Sequence, residues 1–141
     1  MKKIPHLLRR THYALRQCID AQLAQYNLTA SQYEIMARLG DCECLEHREL
    51  LDELDVASPT LTKLVNHLED AGHIHREVSE KDARVKLIAL TEQGQLIYDA
   101  IQGKFPDFID KLLQDFSPAE RMLLAELLER LADNAEALSQ S

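Results

Sequence analysis

Residues 58–91 read SPTLTKLVNHLEDAGHIHREVSEKDARVKLIALT, and their pattern indicates the fold. Ser58 is a residue type that caps helices, and Pro59 suits the first helical position. Apolar residues then recur every three or four positions up to Gly72, a residue at which helices commonly end. Two β-rich runs follow, HIHREV and VKLIAL, and the polar turn SEKDAR separates them. The stretch therefore predicts a helix followed by a β-hairpin.

Three helices are predicted upstream of this stretch. Apolar positions spaced by three or four residues indicate a long amphipathic helix over residues 4–26. A second helix begins at LTASQY, where Thr29 is the cap and Gln32 reaches back to complete a capping box, and Gly40 is expected to end it. A short third helix covers residues 46–54.

Two more helices are predicted downstream. Thr91 caps the first, which Pro106 is expected to kink or divide. Ser117 caps the second, and Glu120 completes its capping box. The whole order predicts a mainly α fold with a small two-stranded antiparallel wing, which is a winged helix-turn-helix core flanked by N- and C-terminal helices.

The chain is expected to form a single domain, since 141 residues are enough for one hydrophobic core. We expect the winged helix-turn-helix lobe in residues 28–91. The long helices of residues 1–27 and 92–141 need packing partners, because an isolated helix is marginal in water. They are therefore expected to pack together as a dimerisation region across a two-fold axis.

The helix that begins at Ser58 presents polar groups on the face opposite its apolar stripe. In a helix-turn-helix the second helix enters the major groove of DNA, and its N-terminal residues reach base edges. Hydroxyl, amide and ammonium groups can bond to bases or phosphates, and the free N–H groups of the helix start suit a phosphate. A solvated helix face has the same composition, so this pattern alone supports both interpretations. The polar residues are Thr60, Thr62, Lys63, Asn66 and His67.

The hairpin carries a basic cluster of Lys81, Arg84 and Lys86 at its tip and return strand. A slender basic loop can place an arginine in a narrow minor groove, where the negative potential is enhanced. Asp82, two residues before Arg84, is a natural partner to orient its guanidinium. The alternative is a solvated turn with an incidental salt bridge.

The net charge of −8, from 24 acidic and 16 basic residues, argues against DNA binding at first sight. The acidity is segregated, however. Residues 41–55 hold seven acids and one arginine, and residues 107–136 hold eight acids and three bases, whereas residues 60–90 hold five of each sign. Local patches decide phosphate contact, so we expect DNA binding with modest non-specific affinity and a shallow salt dependence.

Residues 45–94, LEHRELLDELDVASPTLTKLVNHLEDAGHIHREVSEKDARVKLIALTEQG, closely resemble the MarR family of bacterial winged-helix regulators. The family pattern opens the reading helix with Ser-Pro-x-x-Thr, leaves it through Leu-Glu-x-x-Gly, and continues with an Asp-x-Arg wing and Leu-Thr-x-x-Gly. The matching residues are Ser58, Pro59 and Thr62; Leu68, Glu69 and Gly72; Asp82 and Arg84; and Leu90, Thr91 and Gly94.

The resemblance implies a homodimer that binds an inverted-repeat operator in double-stranded DNA, with repression relieved by a small molecule or an oxidant and no cofactor required. By position it assigns DNA contacts to Ser58, Pro59, Thr60, Thr62, Lys63, Asn66 and His67, and to the wing residues Lys81, Asp82, Arg84 and Lys86. Three positions depart from the family pattern. His67 and Ala83 stand where arginines are frequent, which reduces the positive charge, and Glu46 stands where a helix-capping threonine is frequent.

The family's effectors are often aromatic acids bound between the dimer helices and the DNA-binding lobe. His12 and Arg16, one helical turn apart, can hold a carboxylate there, and Tyr13 and Tyr33 can supply an aromatic wall. A solvent-facing or interface charge is the simpler interpretation of these residues.

The loop DCECLEH offers Cys42, Cys44 and His47, all of which are acceptable zinc ligands. The Cys-x-Cys spacing is tight and a fourth ligand is not evident. Neighbouring thiols can instead sense oxidants. Two ordinary loop cysteines are the simpler interpretation, and Cys18, on the apolar stripe of the first helix, is expected in the core.

Other function classes find less support. Apolar runs fall short of a membrane span, and Arg9 and Arg10 interrupt any signal-peptide core, so a cytoplasmic bacterial protein is expected. Enzymatic motifs such as a Gly-rich phosphate loop or HExxH are absent, so the protein is not expected to be an enzyme. The alternative to a regulator is a winged-helix protein-interaction module that does not read DNA.

Overall fold

The computed structural model describes residues 3–54 and 56–141 and confirms a mainly α architecture with a small antiparallel sheet. Its elements are α1 (Lys3–Leu23), a 3₁₀ turn (Ala24–Tyr26), α2 (Ala30–Gly40), β1 (Leu45–Glu46), α3 (His47–Glu53), α4 (Ser58–Asp70), β2 (Ile74–Val78), β3 (Lys86–Leu90), α5 (Glu92–Leu112) and α6 (Pro118–Ser139). The chain falls into two compact units, residues 1–102 and residues 103–141.

The predicted two-stranded wing is confirmed, and a third strand extends its sheet. The predicted hairpin is present as β2 and β3, with Ile74 opposite Leu90. β1 lies on the other side of β3, where Leu45 pairs with Ile88, so the strand order is β1-β3-β2. Two residues are too short to show the alternation that identifies a strand in sequence, and β1 exists because β3 offers it hydrogen bonds.

The core of the first unit forms where α2, α3 and α4 meet the sheet. Apolar side chains at three- and four-residue spacing make up the buried face of each helix, as the sequence pattern predicts. The fully buried side chains are Ile35, Met36, Leu39, Leu50, Leu61, Val65, Leu68, Ile74 and Ile88. Burial of the α4 stripe directs the opposite face of that helix to solvent.

Two of the predicted helix starts are confirmed in detail. At α2 the Thr29 backbone N–H donates to Gln32 Oε1 at 2.9 Å, and the Gln32 N–H donates to Thr29 Oγ1 at 3.3 Å. Ser117 and Glu120 form the same reciprocal pair at α6, at 2.9 and 3.1 Å. Such capping boxes satisfy N–H groups that the first helical turn leaves unpaired.

The start of α4 differs from the prediction by one residue. Ala57, not Ser58, occupies the cap position, and no side chain caps this end. Ser58 is the first helical residue, and its carbonyl oxygen accepts a hydrogen bond from the Thr62 hydroxyl at 3.0 Å. Pro59 lies in the first turn as predicted.

The predicted end of α2 is confirmed, whereas the predicted division of α5 does not occur. α2 ends at Gly40, and Asp41 is its C-cap. A Cβ atom at Gly40 would lie 2.6 Å from Cε2 of Tyr98, so the glycine also allows close packing at this helix end. Pro106 does not divide α5, which continues to Leu112.

The second unit contains the end of α5 and all of α6. Arg121 joins the two helices, because its guanidinium donates to the Leu113 carbonyl oxygen at 2.8 Å and lies 3.3 Å from Asp110 Oδ1. Many large apolar side chains of this unit are nevertheless exposed. They are Phe105, Leu112, Phe116, Met122, Leu123, Leu127, Leu128, Leu131 and Leu138.

Helix α1 repeats this exposure in the first unit, where Ile4, Leu7, Leu8 and Tyr13 are largely exposed. Cys18 is also exposed, so its predicted place in the core was wrong. The chain buries Leu23 at the end of the α1 stripe and leaves the N-terminal part of that stripe uncovered. Within the part of the chain that the structure describes, no helix has the length and apolar character required to cross a membrane.

Candidate nucleic-acid interface

The solvent face of α4 carries all the residues that the sequence singled out on this helix. Leu61, Val65 and Leu68 hold the helix to the core. The other face presents hydroxyl, amide, ammonium and imidazole groups to solvent, all able to bond to base edges or phosphates. The exposed residues are Ser58, Pro59, Thr60, Thr62, Lys63, Asn66 and His67.

The end of α4 connects the helix rigidly to the sheet. Gly72 has a φ of 83°, the left-handed conformation that glycine adopts without steric cost. The Gly72 N–H donates to the Glu69 carbonyl oxygen at 3.0 Å, and the His73 N–H to that of Leu68 at 2.9 Å, which is a Schellman motif. The Thr91 hydroxyl then donates to the Gly72 carbonyl oxygen at 2.6 Å. The helix, the sheet and the start of α5 are joined at this point.

Arg76 on β2 makes a second connection, which the sequence analysis missed. Its Nε donates to Glu69 Oε2 at 3.2 Å, and its Nη2 donates to Glu69 Oε1 at 2.7 Å. The same Nη2 donates to Asn66 Oδ1 at 2.7 Å. These hydrogen bonds lower the pKa of Glu69. This cluster forms because β2 packs beside α4. Arg76 lies seven residues from Glu69 and ten from Asn66, and no local sequence pattern connects residues at these separations.

The hairpin tip orients Arg84 as predicted. Asp82 Oδ1 accepts the Arg84 backbone N–H at 3.0 Å and its Nε at 3.3 Å, and these bonds lower the pKa of Asp82. The Arg84 side chain is 91% exposed, so its guanidinium is held at one end and open to solvent at the other. Lys81 and Lys86 are exposed as well, so the wing offers three basic groups.

The residues proposed for effector binding are engaged in separate contacts. Arg16 Nη1 lies 3.2 Å from Glu34 Oε1, and its Nη2 donates to the Ser31 hydroxyl. Tyr33 stacks on Tyr98 with ring centroids 5.9 Å apart, and burial raises its pKa. Arg16 is therefore already paired with a carboxylate of the protein.

The two other effector candidates, His12 and Tyr13, are exposed on α1. The Tyr13 hydroxyl accepts a hydrogen bond from Gln17 Nε2 at 3.2 Å. No hydrogen bond, ion pair or ring contact among the described residues joins His12, Tyr13, Arg16 and Tyr33 into one cluster.

The cysteine loop does not form a metal cluster in the described chain. Within residues 3–54 and 56–141, no three His, Cys, Asp or Glu side chains are arranged to hold a metal ion, so Cys42, Cys44 and His47 do not come together as zinc ligands. Cys42 and Cys44 are exposed free thiols. Partial desolvation and the nearby Cys44 raise the pKa of Cys42, which lowers the thiolate fraction that oxidant sensing requires.

The fold and its surface define a winged-helix DNA-binding protein. It has the two helices α3 and α4, an antiparallel wing, and a polar and basic face that helix and wing share. The family model for the Transcriptional regulator SarA/Rot matches residues 17–101, more than half of the chain. The chain belongs to this family of transcriptional regulators. A solved structure of MarR shares the fold of this chain, which confirms the MarR-type winged-helix fold expected from residues 45–94.

Individual proteins agree with this assignment. SarZ of Staphylococcus aureus, an HTH-type transcriptional regulator, is 32% identical over 99 residues, which is 70% of this chain and 64% of SarZ. A crystal structure of MarR matches with a TM-score of 0.83 and 27% identity, and covers 96% of this chain and 92% of that one. The MepR–DNA complex of S. aureus shares the fold with a TM-score of 0.81 and 24% identity, over 93% and 97% of the two chains.

Proposed function

We propose that this protein is a homodimeric repressor that binds an inverted-repeat operator and is released by a small-molecule or redox signal. In this proposal α4 enters the major groove and the hairpin tip places Arg84 in the adjacent minor groove. The protein acts by binding and carries out no chemistry on the DNA.

One observation carries the proposal. The polar face of α4 and the solvent-exposed guanidinium of Arg84 are both built on the same packed unit, with Arg76 joining strand β2 to α4. A helix face and a basic wing on one unit are the two parts that a winged-helix protein applies to a duplex. The MepR structure, whose fold this chain shares, contains DNA and supports this use of the fold.

The excess of acidic residues is compatible with the proposal, because its placement matters more than its total. Glu69, which lies on α4 itself, is paired with Arg76 and so repels a phosphate less than a free carboxylate. Lys63, Lys81, Arg84 and Lys86 remain exposed on the proposed binding surface. A dimer doubles these groups on one duplex.

A second copy of the chain is the proposed partner for the exposed apolar residues of α1, α5 and α6. Patches of this extent on a soluble protein commonly mark an interface. Two-fold symmetry is the commonest arrangement of identical chains, and it matches an inverted-repeat operator.

Selection from a random pool of duplex DNA tests the proposal first. The purified protein is expected to enrich an inverted repeat whose half-sites lie about one helical turn, or roughly 10 base pairs, apart. Failure to enrich any sequence would contradict a role in reading DNA.

The variant Arg84→Ala then distinguishes a regulator from a protein-interaction module. We expect affinity for the selected duplex to fall by about ten- to a hundredfold, the size of a well-placed arginine contact. The matched control is Arg130→Ala, which removes the same charge from the exposed surface of α6. Fluorescence anisotropy with labelled duplex measures both. Equal affinities for the wild type and Arg84→Ala would favour the interaction module.

A further inference from the structure

The side chain of Arg76 is turned toward α4 rather than toward solvent. It is only 27% exposed, and its guanidinium contacts Glu69 with two nitrogens and Asn66 with one of the same two. A guanidinium has five N–H donors and no acceptor. Most of the charge that Arg76 brings to this surface is therefore matched by the carboxylate of Glu69.

The contact with Asn66 determines which way its carboxamide is turned. Because Arg76 can only donate, the Asn66 atom 2.7 Å from Nη2 must be the amide oxygen. A carboxamide turned the other way would bring two sets of donor hydrogens together. The Asn66 Nδ2 group, with its two N–H donors, consequently points away from Arg76.

Asn66 occupies the part of α4 that the proposed function assigns to the major groove. It is exposed, and it lies three and four residues after Lys63 and Thr62, which places the three side chains on the same side of the helix. An asparagine that is free to rotate can present either a donor or an acceptor to a base edge. One held by Arg76 presents mainly its donors.

We infer that Arg76 is a positioning residue for base preference, and that it sets Asn66 to donate to acceptor atoms in the major groove. Guanine, with N7 and O6, offers two such acceptors on one base. The inference rests on the proposed function and names how one position of the operator is read. Arg76 acts through Asn66, without a contact of its own to a base or phosphate.

The experiment repeats the selection from random duplex DNA with defined variants of the full chain. Asn66→Ala removes the reading group and identifies the base position that it contacts. The paired variant Arg76→Met with Glu69→Gln removes the hold on Asn66 while leaving the local charge balanced. Glu69→Gln alone is the matched control, because Arg76 can still donate to Asn66.

We expect Asn66→Ala and the paired variant to lose preference at the same base position. Discrimination there should fall by about five- to tenfold, the lower end of a good base contact. Preferences elsewhere and the salt dependence of non-specific binding should stay as in the wild type, and Glu69→Gln alone should keep the preference. Adding Asn66→Ala to the paired variant should change nothing further, because the two act through one contact.

Three results would overturn the inference. In the first, the paired variant keeps every base preference of the wild type. In the second, it weakens binding at all positions uniformly and reduces the salt slope by about one, which marks a phosphate contact. In the third, the wild type selects no sequence, and both the proposed function and the inference fail. If the wild type selects a sequence and only the variants depart from the expected preferences, the inference alone fails. If circular dichroism shows that the paired variant is unfolded, Arg76→Lys takes its place. The single ammonium of lysine cannot reproduce the three hydrogen bonds that the planar guanidinium makes to Glu69 and Asn66.

Discussion

Glu69 shows how one residue's charge depends on a partner from another element. It lies on the helix proposed to face a polyanion, where a free carboxylate would be repelled. Arg76 donates two hydrogen bonds to it, and those bonds lower the pKa of the Glu69 carboxyl. The pair therefore stabilises the fold only while Glu69 is ionised.

The first prediction concerns the pH dependence of this pair. Because the folded-state pKa lies below the unfolded one, the stabilisation is present above the unfolded pKa and is lost as the pH falls through the folded pKa. Glu69→Gln is expected to lower the free energy of unfolding at neutral pH, with the difference from the wild type shrinking in acid. Urea unfolding at a series of pH values measures it. Glu80→Gln, an exposed residue of the hairpin turn, is the control, and a difference for Glu69→Gln that is independent of pH would contradict the prediction.

Gly94 illustrates a residue whose importance is purely steric. It lies in the first turn of α5, and a Cβ atom there would be 2.0 Å from the backbone oxygen of His73. Gly94→Ala must displace backbone, so we expect it to lower the free energy of unfolding by about 3 kcal/mol, at the upper end for overpacking.

Gly103→Ala is the matched control for this second prediction. Gly103 is in the same helix, but nothing lies within 4 Å of a Cβ built on it. Replacement by alanine should therefore stabilise the helix by up to about 1 kcal/mol. Urea unfolding of both variants measures the contrast, and a Gly94→Ala protein as stable as the wild type would show that the close approach relaxes freely.

At the scale of the element, the end of α4 determines how the helix joins the sheet. The Schellman motif reverses the chain within two residues, so that β2 returns beside the helix it has just left. Arg76 is thereby brought back to Asn66 and Glu69. The cluster therefore depends on the turn, because Arg76 would lie elsewhere if the chain left α4 in another direction.

The third prediction tests this turn. At the φ of 83° an L-residue with a Cβ is strained, and asparagine tolerates the conformation better than other side chains. Gly72→Ala is expected to cost about 1–2 kcal/mol of unfolding free energy and Gly72→Asn less than that. Thermal and urea unfolding rank the two variants. An alanine variant more stable than the asparagine variant would contradict the proposed role of the left-handed conformation.

In the whole molecule, a single chain leaves part of its apolar surface exposed to solvent. The first unit buries most of its α2, α3 and α4 stripes, whereas α1 and the second unit leave large apolar side chains in solvent. Apolar exposure on both units agrees with the dimer proposed above.

The fourth prediction addresses the dimer directly. Leu127 and Leu131, one turn apart on α6, are 45% and 39% exposed. The double variant Leu127→Glu with Leu131→Glu is expected to yield monomers in sedimentation equilibrium, because charges at a buried interface lose their hydration. Glu129→Gln on the same helix serves as the control. A double variant that remains dimeric would place the interface elsewhere.

The sequence predicted the helices well because each is a local pattern. The apolar spacing of α4 and the capping boxes at Thr29 and Ser117 lie within a few residues, and the structure retains them. The spacing from Ser58 to Gly94 likewise identified the winged-helix fold. The residues proposed to contact DNA were predicted by the same spacing, and they stay a prediction until binding is measured.

Other features depended on which elements pack together, and local sequence patterns carry no information about those packing partners. The partner of Arg76 was decided when β2 folded back along α4, and the two-residue strand β1 exists only because β3 lies beside it. The exposure of Cys18 shows the same limit, since periodicity marks an apolar stripe without saying what covers it. Local sequence patterns thus specify the elements and the fold class. The partners of each element depend on packing, because hydrogen bonds and burial between distant residues arise only when the elements come together.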